Sequence, residues 1–146
     1  MASLYDRADI YDLGFNERTW KFIREHWEIA LAGARIHDIL DVSVGSGMVT
    51  LPLAELGYSL TGSDLSEKML EKCRENAKAR GMEIELFRSD FRKVHEIAAG
   101  RQFDCVMSTG MVARSPRRLG SIARFQKIIR KTLLPLVQLR HKITSK

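Results

Sequence analysis

A chain of 146 residues with 45% apolar residues is sized for one domain around a buried core. No uninterrupted apolar run reaches the roughly 18 residues that a membrane-spanning helix needs. The net charge of +6 is divided along the chain: residues 1–110 hold 14 Lys+Arg against 18 Asp+Glu, a balance of −4, whereas residues 111–146 hold 10 Lys+Arg and no acid, a balance of +10.

In chain order, Asn16 is placed to cap a helix over Glu17 to Leu31, with Trp20, Ile23, Trp27 and Ala30 on one face and Gly33 as its stop. Asp38 to Val42 reads as a buried strand. It leads into Ser43-Val44-Gly45-Ser46-Gly47, a turn of small residues, and then into a helix over Met48 to Leu56 with Pro52 near its first turn and Gly57 at its end. Such a turn suits an anionic or nucleoside ligand. Glycines can take positive φ, no bulky side chain shields the backbone amides, and the helix that follows presents unpaired N–H groups.

A second strand, Tyr58 to Ser63, runs into Asp64, 17 residues beyond Gly47, where a carboxylate can accept both hydroxyls of a ribose. The helix Ser66 to Arg80 is expected to bury Leu65, Met69, Cys73 and Ala77 and to stop at Gly81. Strand three, Glu83 to Phe87, alternates charged and apolar side chains, which predicts one solvated face at or near a sheet edge. Asp90 and Phe91 follow it, and strand four is Phe103 to Met107. This βαβαβ order predicts an α/β fold with a doubly wound, mostly parallel sheet, and a ligand site at the carboxyl ends of strands one and four. Taken singly, Asp41 is also a helix-start carboxylate and Asp64 a helix cap. Their occurrence with Asp90 at successive strand ends points instead to a nucleoside cofactor.

From about Asp38 to Met107, on the glycine turn, the segment Asp64-Leu65-Ser66-Glu67-Lys68-Met69-Leu70 and Arg88-Ser89-Asp90-Phe91, the chain resembles the class I S-adenosylmethionine-dependent methyltransferases. The resemblance is weaker over residues 1–37 and is not seen over 111–146. It implies a Rossmann-like sheet in the order three, two, one, four, with S-adenosyl-L-methionine as cofactor and a small-molecule methyl acceptor. Carried over, Asp41, Gly45 and Gly47 hold the methionine part, Asp64 the ribose, and Asp90 and Phe91 the adenine. Leu65 and Met69 join the cofactor-binding set with the second acid, and Tyr11, in the N-terminal segment Ala8 to Asp12, either closes over the methionine end, as in similar methyltransferases, or packs under a loop. Ser43 stands where the family usually has glycine, so its side chain is expected to crowd the cofactor's closest approach. No residue is assigned as a catalytic base.

The resemblance and the acidic balance end together near residue 110, dividing the chain into a partial cofactor-binding core over 1–110 and an atypical basic tail over 111–146. The tail is expected to form an amphipathic helix with Ile122, Phe125, Ile129 and Leu133 on one face, broken at Pro135, which leaves the sheet truncated after its fourth strand. Three accounts stay open. A truncated or frame-shifted form of a longer enzyme is favoured; the others are a natural helical cover for strand four and, over residues 114–142, an arm for anionic lipid or nucleic acid. At the level of function, the alternatives are a non-catalytic adaptor working through that tail and an NAD-dependent oxidoreductase. The oxidoreductase is disfavoured because Gly45-Ser46-Gly47-Met48-Val49-Thr50 lacks the third small residue of the dinucleotide pattern. Cys73 and Cys105, and the histidines His26, His37, His95 and His141, lack metal-ligand spacing, so no metal is expected. Reduced thiols and a start without an apolar signal segment favour the cytoplasm.

Overall fold

The computed structural model describes residues 16–98 and 100–109, together with the strand at 129–134. Tyr11, Ile122, Phe125 and Pro135, to which the sequence assigns roles, lie outside the described residues.

Helix α1, Glu17–Ala30, opens where expected: the Asn16 side chain accepts from the Thr19 amide at 3.0 Å. Its buried stripe is Trp20, Ile23 and Trp27, continued by Leu31 and not by Ala30, which is exposed. Eleven residues bring a helix round to within about 20° of its starting direction, so Leu31 falls beneath Trp20 and Ala30 falls off the stripe. Strand β1, Asp38–Asp41, follows, and residues 46–51 descend through successive turns to a short helix α2, Pro52–Glu55, shorter than the sequence suggests. After β2, Ser59–Asp64, helix α3 spans Glu67–Ala79 under a Ser66 cap. It buries Met69, Leu70, Cys73 and Ala77, while Leu65 is 64% exposed. Leu65 precedes the cap, so it has not yet joined the helical period. Strand β3 is Glu85–Arg88, α4 is a single turn, Val94–Ile97, that the sequence pattern did not reveal, and β4 is Phe103–Met107.

The described sheet has five strands in the order β3-β2-β1-β4-β5, and its described pairings are all parallel. Alternating β3 sits at one edge, as its pattern predicts. On one face, Ile39, Leu60, Cys105 and Met107 pack against Ile23, Trp27 and Leu31 of the α1 region and Leu53 of α2. On the other, Leu40, Val42 and Val106 pack against Val94 and Ala98, with Phe91 partly buried against them.

The basic tail departs from its expected form. Ile129–Leu134 is strand β5, not helix, and the sheet therefore does not end at β4. Ile129 stands beside Phe103 and Leu133 beside Val106, with a register irregularity between Phe103 and Cys105. Residues four apart share a face in a helix and in a strand alike, so the Ile129/Leu133 spacing was blind to the choice. The open edge of apolar β4 decides it, because a parallel neighbour satisfies its outward backbone groups.

Candidate functional site

The carboxyl ends of β1, β2 and β4 are drawn together by the turn after β1. Val42 donates its amide to the Met107 carbonyl at 2.9 Å and Val44 to the Ser63 carbonyl at 3.0 Å, so the chain leaving β1 is tied to both neighbouring strands. From α3, the Asn76 side-chain amide donates to the Ser46 carbonyl at 3.0 Å. The two glycines of the turn have different reasons to be glycine. Both hold left-handed backbones, φ +56° at Gly45 and +80° at Gly47. A Cβ on Gly47 would meet Cys73 Sγ at 2.6 Å, whereas one on Gly45 would meet nothing within 4 Å. Gly47 is required by packing; Gly45 faces open space at the strand ends.

Ser43 has no positive φ, so its Cβ is accommodated by the backbone, and its side chain is buried. The Ser43 hydroxyl turns to Ser108 at the end of β4, with Oγ to Oγ 2.7 Å.

Asp41 is fully buried. Its Oδ1 accepts from the amides of Ser43 at 3.0 Å and Thr109 at 3.3 Å. Its Oδ2 accepts from the hydroxyl of Thr50 at 2.5 Å and from that of Thr109. Burial pushes the Asp41 carboxyl up from its ordinary value of 3.8, and the hydrogen bonds from Thr109, Thr50 and Ser43 oppose that rise.

Asp64 is half-buried at the end of β2, where Oδ2 accepts the Gly45 amide and Oδ1 the Ser66 amide, each at 3.0 Å. It is both helix-side cap and strand-end acid. A carboxylate offers about four lone-pair sites, so after these two bonds each oxygen retains acceptor capacity suited to one of two neighbouring hydroxyls. Leu65 beside it presents an apolar surface to solvent.

Asp90 follows β3, and the Arg92 guanidinium grips both of its oxygens, with Nε at 2.9 and 3.0 Å and Nη2 closing on Oδ2. The Arg92 side chain holds the Asp90 carboxyl down to about 2. Met69 is only 2% exposed and packs inside the fold. Thr50 and Asn76 stand in no spacing that marks them, since each acts on a partner distant along the chain, and Arg92 carries no signal beyond its closeness to Asp90. Among the described residues no group of three or more His, Cys, Asp or Glu is placed to hold a metal ion.

The profile of a methyltransferase domain family matches residues 39–132, which carries the family pattern beyond residue 110 and into β5. The ubiquinone biosynthesis O-methyltransferase of Nitrosococcus oceani is 32% identical over 110 residues, 75% of this chain and 44% of that protein. Two solved structures share the fold. The CcbJ methyltransferase from Streptomyces caelestis has a TM-score of 0.72 at 24% identity, over 88% of this chain and 54% of that one. Magnesium protoporphyrin IX methyltransferase from Synechocystis, solved with bound SAH, has a TM-score of 0.62 at 21% identity, over 86% and 58%. The chain spans less than half the length of the curated relatives that it matches, 26–44% of each.

Proposed function

The chain belongs to the class I S-adenosylmethionine-dependent methyltransferases, and from that premise we propose that it binds S-adenosyl-L-methionine at the β1–β2–β4 strand ends and serves methyl transfer to a small-molecule acceptor in the cytoplasm. The observation that carries this reading is the pairing of Gly45, open in front and positive in φ, with Asp64, which receives the Gly45 amide. That pairing forms a backbone cradle beside an acid with capacity for a ribose diol. Gly45 lets the ligand approach the turn, Asp64 accepts the ribose hydroxyls, and Leu65 offers an apolar flank. Asp90 and Phe91 border the adenine end. Ser43, Gly47 and Met69 support the cradle from beneath.

When bound, the cofactor supplies a methyl carbon already activated on a sulfonium. The chain's task is then alignment and exclusion of water and, where the acceptor's attacking atom carries a proton, a route for that proton to leave. Ser108 and Thr109, half-buried after β4, border the side from which an acceptor would enter. Asp41, fully buried, is out of reach as a base.

Calorimetric titration with S-adenosylmethionine, S-adenosylhomocysteine and NAD tests the reading. Both adenosyl ligands are expected to bind, and more tightly than NAD. Tighter binding of NAD, or binding of none of the three, overturns it.

A further inference from the structure

We infer that Asp41 is a positioning residue, holding the cofactor turn in place through Thr50 and Thr109 without touching the cofactor itself. The inference rests on the reading above for the identity of the ligand, but its geometry is independent of it.

A carboxylate has room for about four hydrogen bonds, two at each oxygen. In Asp41 all four places are taken by this chain's own donors: the Ser43 and Thr109 amides at Oδ1, and the Thr50 and Thr109 hydroxyls at Oδ2. The residue has no exposed surface, and Thr50 is also fully buried. A ligand ammonium would have to displace one of these donors and leave it buried without an acceptor, at a cost comparable to the bond it gained.

The network joins three segments that are distant in sequence. Ser43 begins the turn, Thr50 lies at its far end beyond Gly47, and Thr109 follows β4. The two threonine hydroxyls are themselves 3.2 Å apart. The Ser43–Ser108 hydroxyl pair runs alongside as a second tie between β1 and β4. The turn so fixed carries Gly45, whose amide holds Asp64. Loosening Asp41 therefore disturbs the ribose acid, not only the part of the site nearest β1.

That route gives the inference its test. S-adenosylhomocysteine carries an ammonium; 5′-methylthioadenosine keeps the adenosine and lacks the amino-acid arm. Titration of both into Asp41→Asn, Thr50→Val and Thr50→Ser is expected to show Asp41→Asn and Thr50→Val each weakening both ligands by the same factor, on the order of tenfold. Thr50→Ser, which keeps the hydroxyl, restores binding. The double variant Asp41→Asn/Thr50→Val binds no more weakly than Asp41→Asn, since both remove one network. Selective loss of S-adenosylhomocysteine in Asp41→Asn, with 5′-methylthioadenosine unaffected, overturns the inference and makes Asp41 a ligand for the ammonium. Normal binding by folded Thr50→Val also overturns it.

A ligand-free readout separates the inference from the functional reading. Amide hydrogen exchange over Ser43–Gly47 is expected to quicken in Thr50→Val and to recover in Thr50→Ser. Unchanged exchange in Thr50→Val counts against the network. A wild-type chain that binds neither adenosyl ligand overturns the methyltransferase reading, and exchange then decides the positioning role alone.

Discussion

Asp64 serves the fold and the proposed site with the same two oxygens, and a single substitution distinguishes the roles. Asp64→Ala is expected to weaken S-adenosylhomocysteine binding by about 1–3 kcal/mol, because buried ribose hydroxyls lose a charged acceptor, while the protein still folds. Calorimetry beside a thermal melt checks this; normal affinity with a collapsed melting temperature would leave Asp64 a cap only. Asp90 makes an opposite kind of claim, about acid. Its carboxyl is held at about 2 against an ordinary 3.8, first by the Arg92 side chain. The folded state therefore binds fewer protons than the unfolded chain between these values. The stabilisation is complete above the unfolded value and is lost as pH falls from 3.8 through about 2. Arg92→Ala should flatten this part of a stability–pH curve measured by urea unfolding. An unchanged acid limb in the variant would show that solvent screens the pair to insignificance.

At the level of the element, the turn after β1 combines two constraints that are easily taken for one. Gly45→Ala places a Cβ in open space, so its folding cost is the left-handed backbone alone, about 1–2 kcal/mol. Gly47→Ala adds a collision with Cys73 Sγ and the Leu51 side chain, so a further cost of about 1–3 kcal/mol is expected. Gly45→Ala should instead lose cofactor affinity while remaining folded. Urea melts and titrations of the two variants make the comparison, and equal destabilisation by both would contradict the packing role of Gly47. The elements themselves were largely legible. Asn16 and Ser66 announce helices because a short polar side chain can satisfy an amide three residues on, and that interaction is local. Leu65 was misjudged because it sits one residue before the cap, where an apolar side chain is not yet bound to the helical period.

Across the whole molecule, β5 turns an apparent four-stranded remnant into a five-stranded sheet with β1 at its centre. Without it, apolar β4 would present an open edge of unpaired backbone groups. Removal of residues 129–146 is therefore expected to cause self-association or loss of cooperative unfolding, checked by size-exclusion chromatography and urea denaturation. A shortened chain that keeps the full chain's association state and unfolding midpoint would show that β5 contributes nothing to the core.

The strand ends and their acids were determined by sequence alone. Asp41, Asp64 and Asp90 each follow an apolar or alternating run whose period is set by residues next to one another, and the glycines between them admit few backbone paths. Tertiary structure alone decided what those acids touch. Asp41 meets Thr109 across 68 positions of chain and Asp64 meets the Gly45 amide across 19, distances over which no local periodicity operates. The fate of Ile129–Leu134 belongs to the same class. Its spacing suits a helix face and a strand face equally, and only the unsatisfied edge of β4, placed beside it by the fold, selects the strand.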